Sequence, residues 1–365
     1  MSFLHRAVAL LLLPIAALGC ATSGAPASPA PGVASAAIAY PAAAWERHAR
    51  PEDAGWSSAG LDSVRATLAT LPTTGFVAIA AGRVLMEHGD LAAVSYLASV
   101  RKSILSMLIG NYVARGTMRL DRTLAQIGID DIGGLSASER EATVLDLLTA
   151  RSGVYHEASN GGDDLASAPP RGSQRHGTYH LYSNWDFNAL GTVFERETGR
   201  DIYDALESDL ARPLGFQDWD RAAQRKSGDT TRSVHRAYHM NLSTRDMARI
   251  GYLMLREGRW NGRQVVPADW VRTTTRAFTP VSEMNPARYR TGPFGYGHLW
   301  WVWDGPTNTG PYRGAYAGLG AVGQHIVVLP ALDLVVAHKT RPDQGRSVSH
   351  EQFRAVLDQL VRARR

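Results

Sequence analysis

The chain is predicted to fold as an α/β protein of the α+β type. One antiparallel sheet is flanked by helices from both ends of the chain, and a second lobe is mostly helical. Three observations predict this. Strand-like segments occur early, in "GFVAIAAGRVLMEHGD", and return late, in "YGHLWWVW", "GQHIVVLP" and "LDLVVAHK". Helical periodicity dominates between them, from Thr143 to Arg276. Amphipathic helical patterns open and close the folded part. Early and late strands sharing one sheet under the terminal helices is the simple way to bury all of these apolar faces.

The elements follow in order. "MSFLHRAVALLLLPIAALGC" places Arg6 before an apolar run, Ala7 to Leu18, that is short for a membrane span, which is the layout of a secretory leader covering residues 1–19. Cys20 is the only cysteine, so no intramolecular disulfide is available. "ALGC" is similar to a bacterial lipobox, with Ala17 where leucine is usual, and implies lipidation at Cys20; ordinary leader cleavage is the alternative. Residues 20–45, rich in Ala, Pro and Ser, cannot bury a core and form a tether. The folded domain then spans 46–365, with its helical lobe at about 100–275.

Within that domain, "SSAGLDSVRATLATLP" carries Leu61, Val64, Leu68 and Leu71 at helical spacing, capped by Ser57 or Ser58 and stopped by Pro72. Two strands turn at Ala81-Gly82. Ser99 opens a buried helix that runs to about Arg115 and closes at Gly116. "WDFNALGTVFERETG" and "STRDMARIGYLMLREG" are helical, the second capped by Ser243 or Thr244. The last two strands turn at Pro330-Ala331. A closing helix, Ser347 to Val361, presents Phe353, Val356, Leu357 and Leu360 on one face.

Charge excludes one class of function. The 39 Lys plus Arg against 34 Asp plus Glu leave a net charge of +5, but the basic residues are scattered and form no stripe interleaved with aromatics. Nucleic acid is not an expected partner. Only Lys102, Lys226 and Lys339 are lysines. Arginine cannot act as a base, so each lysine is a candidate for proton chemistry.

In "SVRKS", Ser99 and Lys102 stand three apart, on one face of the predicted helix and about 4.5 Å apart along its axis. A serine hydroxyl needs a neighbour to take its proton, and a lysine serves only when burial or nearby positive charge such as Arg101 favours its neutral form. The helix N-terminus also favours developing negative charge at Ser99. Taken singly, the pair also fits a helix cap and a solvated lysine. In "HLYSNWDFNALG", Tyr182 can exchange protons with a leaving group, and Asn184 offers an amide to a substrate amide; a core aromatic and a helix cap are the plainer alternatives. "YAGLGAVGQHIVVLP" puts Gly318, Gly320 and Gly323 at the start of a strand, where backbone can approach a ligand and donate, with the Ser99 N–H, to an oxyanion.

The ordered set S-x-x-K, Y-x-N and glycine-rich strand resembles the serine β-lactamase and penicillin-binding-protein superfamily, with its transpeptidase-like fold. The Y-x-N form is similar to class C β-lactamases and to their esterase, D-aminopeptidase and 6-aminohexanoate-dimer hydrolase relatives. "LLTARSGVYH", "LARPLGF" and "GYGHLWWV" extend the resemblance from about Trp56 to the end. It implies Ser99 as acylated nucleophile, Lys102 as its base and Tyr182 as the proton carrier. Ser99 and Ala321 would supply the oxyanion-hole N–H groups, and Asn184, Gly318 and Gly320 would meet the substrate. No cofactor or metal is implied, and zinc spacings are missing from the sequence.

One departure bears on substrate. The position that is usually cationic in the third motif is Gly318 here, which removes a charge-assisted contact to a substrate carboxylate of about 1.5–3 kcal/mol. Lys339-Thr340 ends the next strand and is read as coincidence. The expectation is a cell-envelope serine hydrolase, lipid-anchored, acting on a small ester, amide or peptide. The alternatives are a β-lactamase or D,D-peptidase, and a binding protein without catalysis. Trp300, Trp301 and Trp303 are expected as core or cleft wall.

Overall fold

The computed structural model describes residues 38–365. The expected leader 1–19, the lipidated Cys20 and most of the 20–45 tether lie outside the described residues. The first helix, α1 (Ser58–Ala69), starts where the Ser57 side chain accepts the Gly60 N–H, and it buries Leu61, Val64 and Leu68. Strands β1 (Gly75–Ala80) and β2 (Arg83–Gly89) follow, turning through Ala81 and Gly82, both at positive φ. Helix α2 (Val100–Ala114) is buried along nearly its whole length, with Ser99 at its N-cap.

Helices α3 (Asn184–Thr198) and α4 (Thr244–Leu255) come next. Ser243 caps α4 by accepting the Asp246 N–H. The segment between Thr149 and Ser183 was expected to be helical but holds only a three-residue turn at Leu165–Ser167. Its apolar residues are too sparse to define a face, and its backbone instead lines the lobe around α3.

The predicted strand "YGHLWWVW" is a hairpin: β3 (Phe294–Tyr296) and β4 (Trp301–Trp303) pair antiparallel, with Leu299 at φ 64 between them. Strands β5 (Tyr316–Gly320), β6 (Gln324–Leu329) and β7 (Leu334–Lys339) complete a seven-stranded antiparallel sheet of order β2-β1-β7-β6-β5-β4-β3. The early and late strands meet where β1 pairs β7, Gly75 to Lys339 through Ala80 to Leu334.

The closing helix α5 (His350–Arg362) has a capping box in which Ser349 accepts the Gln352 N–H and the Gln352 side chain accepts the Ser349 N–H. One face of the sheet packs Phe76, Ala78, Val327 and Val336 against α1 and α5. The other packs Val77, Ile79, Ile326 and Val335 against α2, α4 and the lobe. Successive residues of one strand thus serve two cores, as the period of two demands. No helix among the described residues is long and apolar enough to cross a membrane.

Candidate active site

The N-terminus of α2 meets the free end of β5. Ala98 takes φ 47, a left-handed conformation that costs a non-glycine residue about 1–3 kcal/mol, and so turns Ser99 out of the chain and into a cavity of about 360 Å³. Ser99 and Ala321 both border that cavity. Among the described residues, the Ser99 N–H has no hydrogen-bond acceptor.

Gly318 and Gly320, expected to meet substrate, are not among the residues that border the cavity. Strand alternation turns them toward α2, while Leu319 between them faces the cavity. A Cβ on Gly318 would stand 3.1 Å from Ser103 Oγ, and one on Gly320 would stand 2.6 Å from the Leu97 carbonyl. Glycine at 320 therefore lets the strand end lie against the Leu97–Ala98 turn that presents Ser99.

Lys102 is 1 % exposed. Its Nζ lies 2.9 Å from Ser99 Oγ, 2.7 Å from Tyr182 Oη and 2.7 Å from Asn184 Oδ1. It also sits 4.3 Å from the Tyr182 ring centroid and 4.5 Å from that of Phe187. Burial, then the Arg101 guanidinium, holds the amine well below the usual lysine range, while Asp163 opposes both. Burial pushes the Tyr182 phenol up, so it holds its proton at neutral pH.

The hydrogen bonds can then be assigned. Asn184 Oδ1 can only accept, so it takes one Lys102 N–H, and its Nδ2 donates to the Gly161 carbonyl at 2.9 Å. A neutral amine keeps one N–H and one lone pair for Tyr182 and Ser99. The lone pair can take the Ser99 proton.

Asn184, expected to offer its amide to substrate, stands next to Lys102. It is 2 % exposed, and both ends of its amide are engaged within the protein, Oδ1 on Lys102 and Nδ2 on the Gly161 carbonyl. Lys339 is also buried, its Nζ on the Ser95 and Leu242 carbonyls, and it takes no part in the cavity wall.

Several wall residues escaped the sequence. Asp163 sits beside Asn184, its Oδ2 accepting the Asn184 N–H at 2.9 Å. Asp164 is 5 % exposed, pairs with Arg288 and accepts from the Tyr289 hydroxyl at 3.3 Å. "GGDD" at 161–164, a glycine pair before two carboxylates and without periodicity, was the available signal. Trp301, expected as core or cleft wall, borders the cavity and stacks on Tyr182 at 5.4 Å and 30°, and Phe294, which was not expected, stands beside it. Arg101 is buried with no acidic partner among the described residues. It donates to Asn188 Oδ1 at 3.0 Å and lies 4.3 Å over the Tyr238 ring.

Comparison with known proteins agrees with this architecture. An uncharacterized protein of Alkalihalophilus pseudofirmus is 25 % identical over 262 residues, 66 % of this chain and 71 % of that protein. A 6-aminohexanoate-dimer hydrolase of Paenarthrobacter ureafaciens is 28 % identical over 184 residues, 50 % of this chain and 44 % of the hydrolase, so less than half of that enzyme is matched. The crystal structure of a β-lactamase from Mycobacterium bovis superposes with a TM-score of 0.56 at 22 % identity, covering 81 % of this chain and 99 % of that one. The family model described as Beta-lactamase matches residues 69–359. The fold, its sheet order and that match agree, and the chain belongs to the β-lactamase family.

Proposed function

We propose that the protein is a serine hydrolase that forms an acyl-enzyme at Ser99 and cleaves a small ester or amide. The observation that carries this reading is the fully buried Lys102 amine, within hydrogen-bond distance of Ser99, Tyr182 and Asn184 together. Ser99 Oγ attacks the carbonyl carbon as its proton passes to the neutral Lys102. The oxyanion is met by the N–H groups of Ser99 and Ala321. As the carbon–leaving-group bond breaks, the Tyr182 hydroxyl gives its proton to the leaving oxygen or nitrogen and regains one from Lys102. Water then attacks the Ser99 ester through the same groups in reverse.

The cavity wall carries Asp163 and Asp164, and its arginine, Arg288, is paired with Asp164, which favours neutral esters and amides over anionic β-lactams. The relative whose name makes it a hydrolase of the 6-aminohexanoate dimer supports amides as a substrate class. The leader-like residues 1–19 and the lipobox-like Cys20 support a cell-envelope location with a lipid anchor.

Hydrolysis of a chromogenic short-chain ester tests the reading. Ser99→Ala is expected to abolish turnover with an unchanged circular dichroism spectrum; activity retained by that variant contradicts it. Nitrocefin turnover faster than that of the ester would move the assignment to a β-lactamase.

A further inference from the structure

A second pocket of about 230 Å³ adjoins the catalytic cavity. The two share Pro293, Phe294, Leu319 and His350 in their linings, so they are neighbours along this wall. The far end of the second pocket is apolar and lies between the sheet and α5. Trp303, Val327 and Leu357 form it, each 1 % exposed. Its two charged residues neutralise one another in sign. Glu351 is the anion, and the Arg354 cation is held by Asp358 at 2.9 Å and lies over the Tyr312 and Trp303 rings.

The direction of this pocket relative to Tyr182 is what gives it meaning. A continuous aromatic wall starts at the Tyr182 ring, which stacks on Trp301. Trp301 meets Phe294 edge-on at 6.1 Å, and Phe294 meets Trp303 at 4.5 Å. Tyr182 is the group that protonates the leaving atom, so the wall leads away from the leaving side of the scissile bond. Asp163, Asp164 and Arg288 add polar groups to the catalytic cavity but do not border the second pocket.

We propose that the second pocket receives an apolar leaving group, the alkyl or aryl part of an alcohol or amine, and that the enzyme selects substrates by this arm and not by the acyl arm. The inference rests on the acyl-enzyme reading for Ser99. In the step concerned, the carbonyl carbon bonds to Ser99 Oγ and releases the alkoxide or amide nitrogen. That atom takes the Tyr182 proton and departs with its chain in the pocket.

The test is a pair of ester series followed by pH-stat, with active enzyme counted by fluorophosphonate titration of Ser99. Acetates of methanol through octanol vary the leaving group, and methyl esters of acetate through octanoate vary the acyl group. Each methylene added to the alcohol is expected to raise kcat/KM two- to fourfold, the upper figure being about 0.8 kcal/mol per buried CH₂. The whole acyl series should change less than twofold. Leu319→Trp and Phe294→Ala, both in the shared wall, should each flatten the alcohol series.

A steeper acyl series overturns the inference. So do two flat series from an enzyme whose Ser99 is labelled, and both of these results leave the hydrolase reading standing. No labelling at Ser99 in folded protein overturns both.

Discussion

In the proposed mechanism Lys102 acts only as a neutral amine, and the residues around it favour that form. Burial comes first, the Arg101 guanidinium second. Because its proton affinity is lowered, the base form exists at pH values where an exposed lysine is still charged. The rate should therefore rise with pH through an acid limb far below 10.5, the ordinary lysine value. Arg101→Met removes the neighbouring cation, raises the amine's proton affinity and should move that limb to higher pH in a kcat/KM profile. A limb that stays in place, with the variant folded, would show that Arg101 does not set it. Lys102→Arg keeps the charge and loses the base, and should cost about 10²–10⁴ in kcat/KM. Lys102 was legible because S-x-x-K puts it one helical turn from Ser99. Arg101 was legible as the adjacent cation, but its burial was not, because that depends on Asn188 and Tyr238, which no local pattern brings to it.

At the level of elements, the site exists because β5 ends against the turn before α2. Gly320 is the contact, with no room for a methyl group beside the Leu97 carbonyl. Gly320→Ala should push that turn and Ser99 away from Ala321. The expected loss is about 10²-fold in kcat, as for displacements near 1 Å, with about 1–3 kcal/mol lost from stability by urea unfolding. Wild-type kcat in a folded Gly320→Ala protein would contradict the contact. The glycines were legible as a place of close approach; what was not legible is that Gly318 lies against the Ser103 and Val100 side chains and Gly320 against the Leu97 carbonyl. The hairpin of β3 and β4 was hidden, since its turn uses Leu299 at positive φ where glycine or asparagine would have announced it. Asp163 and Asp164 were hidden too, on a segment whose conformation is set by the lobe around it.

For the whole molecule, burial of neutral histidines on the sheet ties stability to pH. Burial lowers His338 and His298 from 6.5 to about 4, and His325 lies well below 6.5. The unfolded chain binds these protons between pH 6.5 and about 4 while the folded chain does not. Stability should therefore be full above 6.5 and fall as pH drops through that window, by up to about 1.4 kcal/mol per pH unit for each proton taken up. Urea midpoints from pH 8 to 4.5 check this. His325 has both ring nitrogens unpartnered and stacks 4.2 Å from Phe353, so His325→Phe should stabilise the protein more at pH 5 than at pH 8. The sheet was legible at this scale because early and late strands alternate between two apolar faces. The histidines were not, since nothing in their spacing marks them as buried.

The central claim is that Ser99 is the nucleophile that Lys102 activates. Its most direct measurement is the mass-mapped site of a fluorophosphonate adduct, compared between the wild type and Lys102→Met. The account predicts one adduct, on Ser99, formed at least 10²-fold more slowly in the variant. An adduct on another residue, or equal rates in the two proteins, would contradict it.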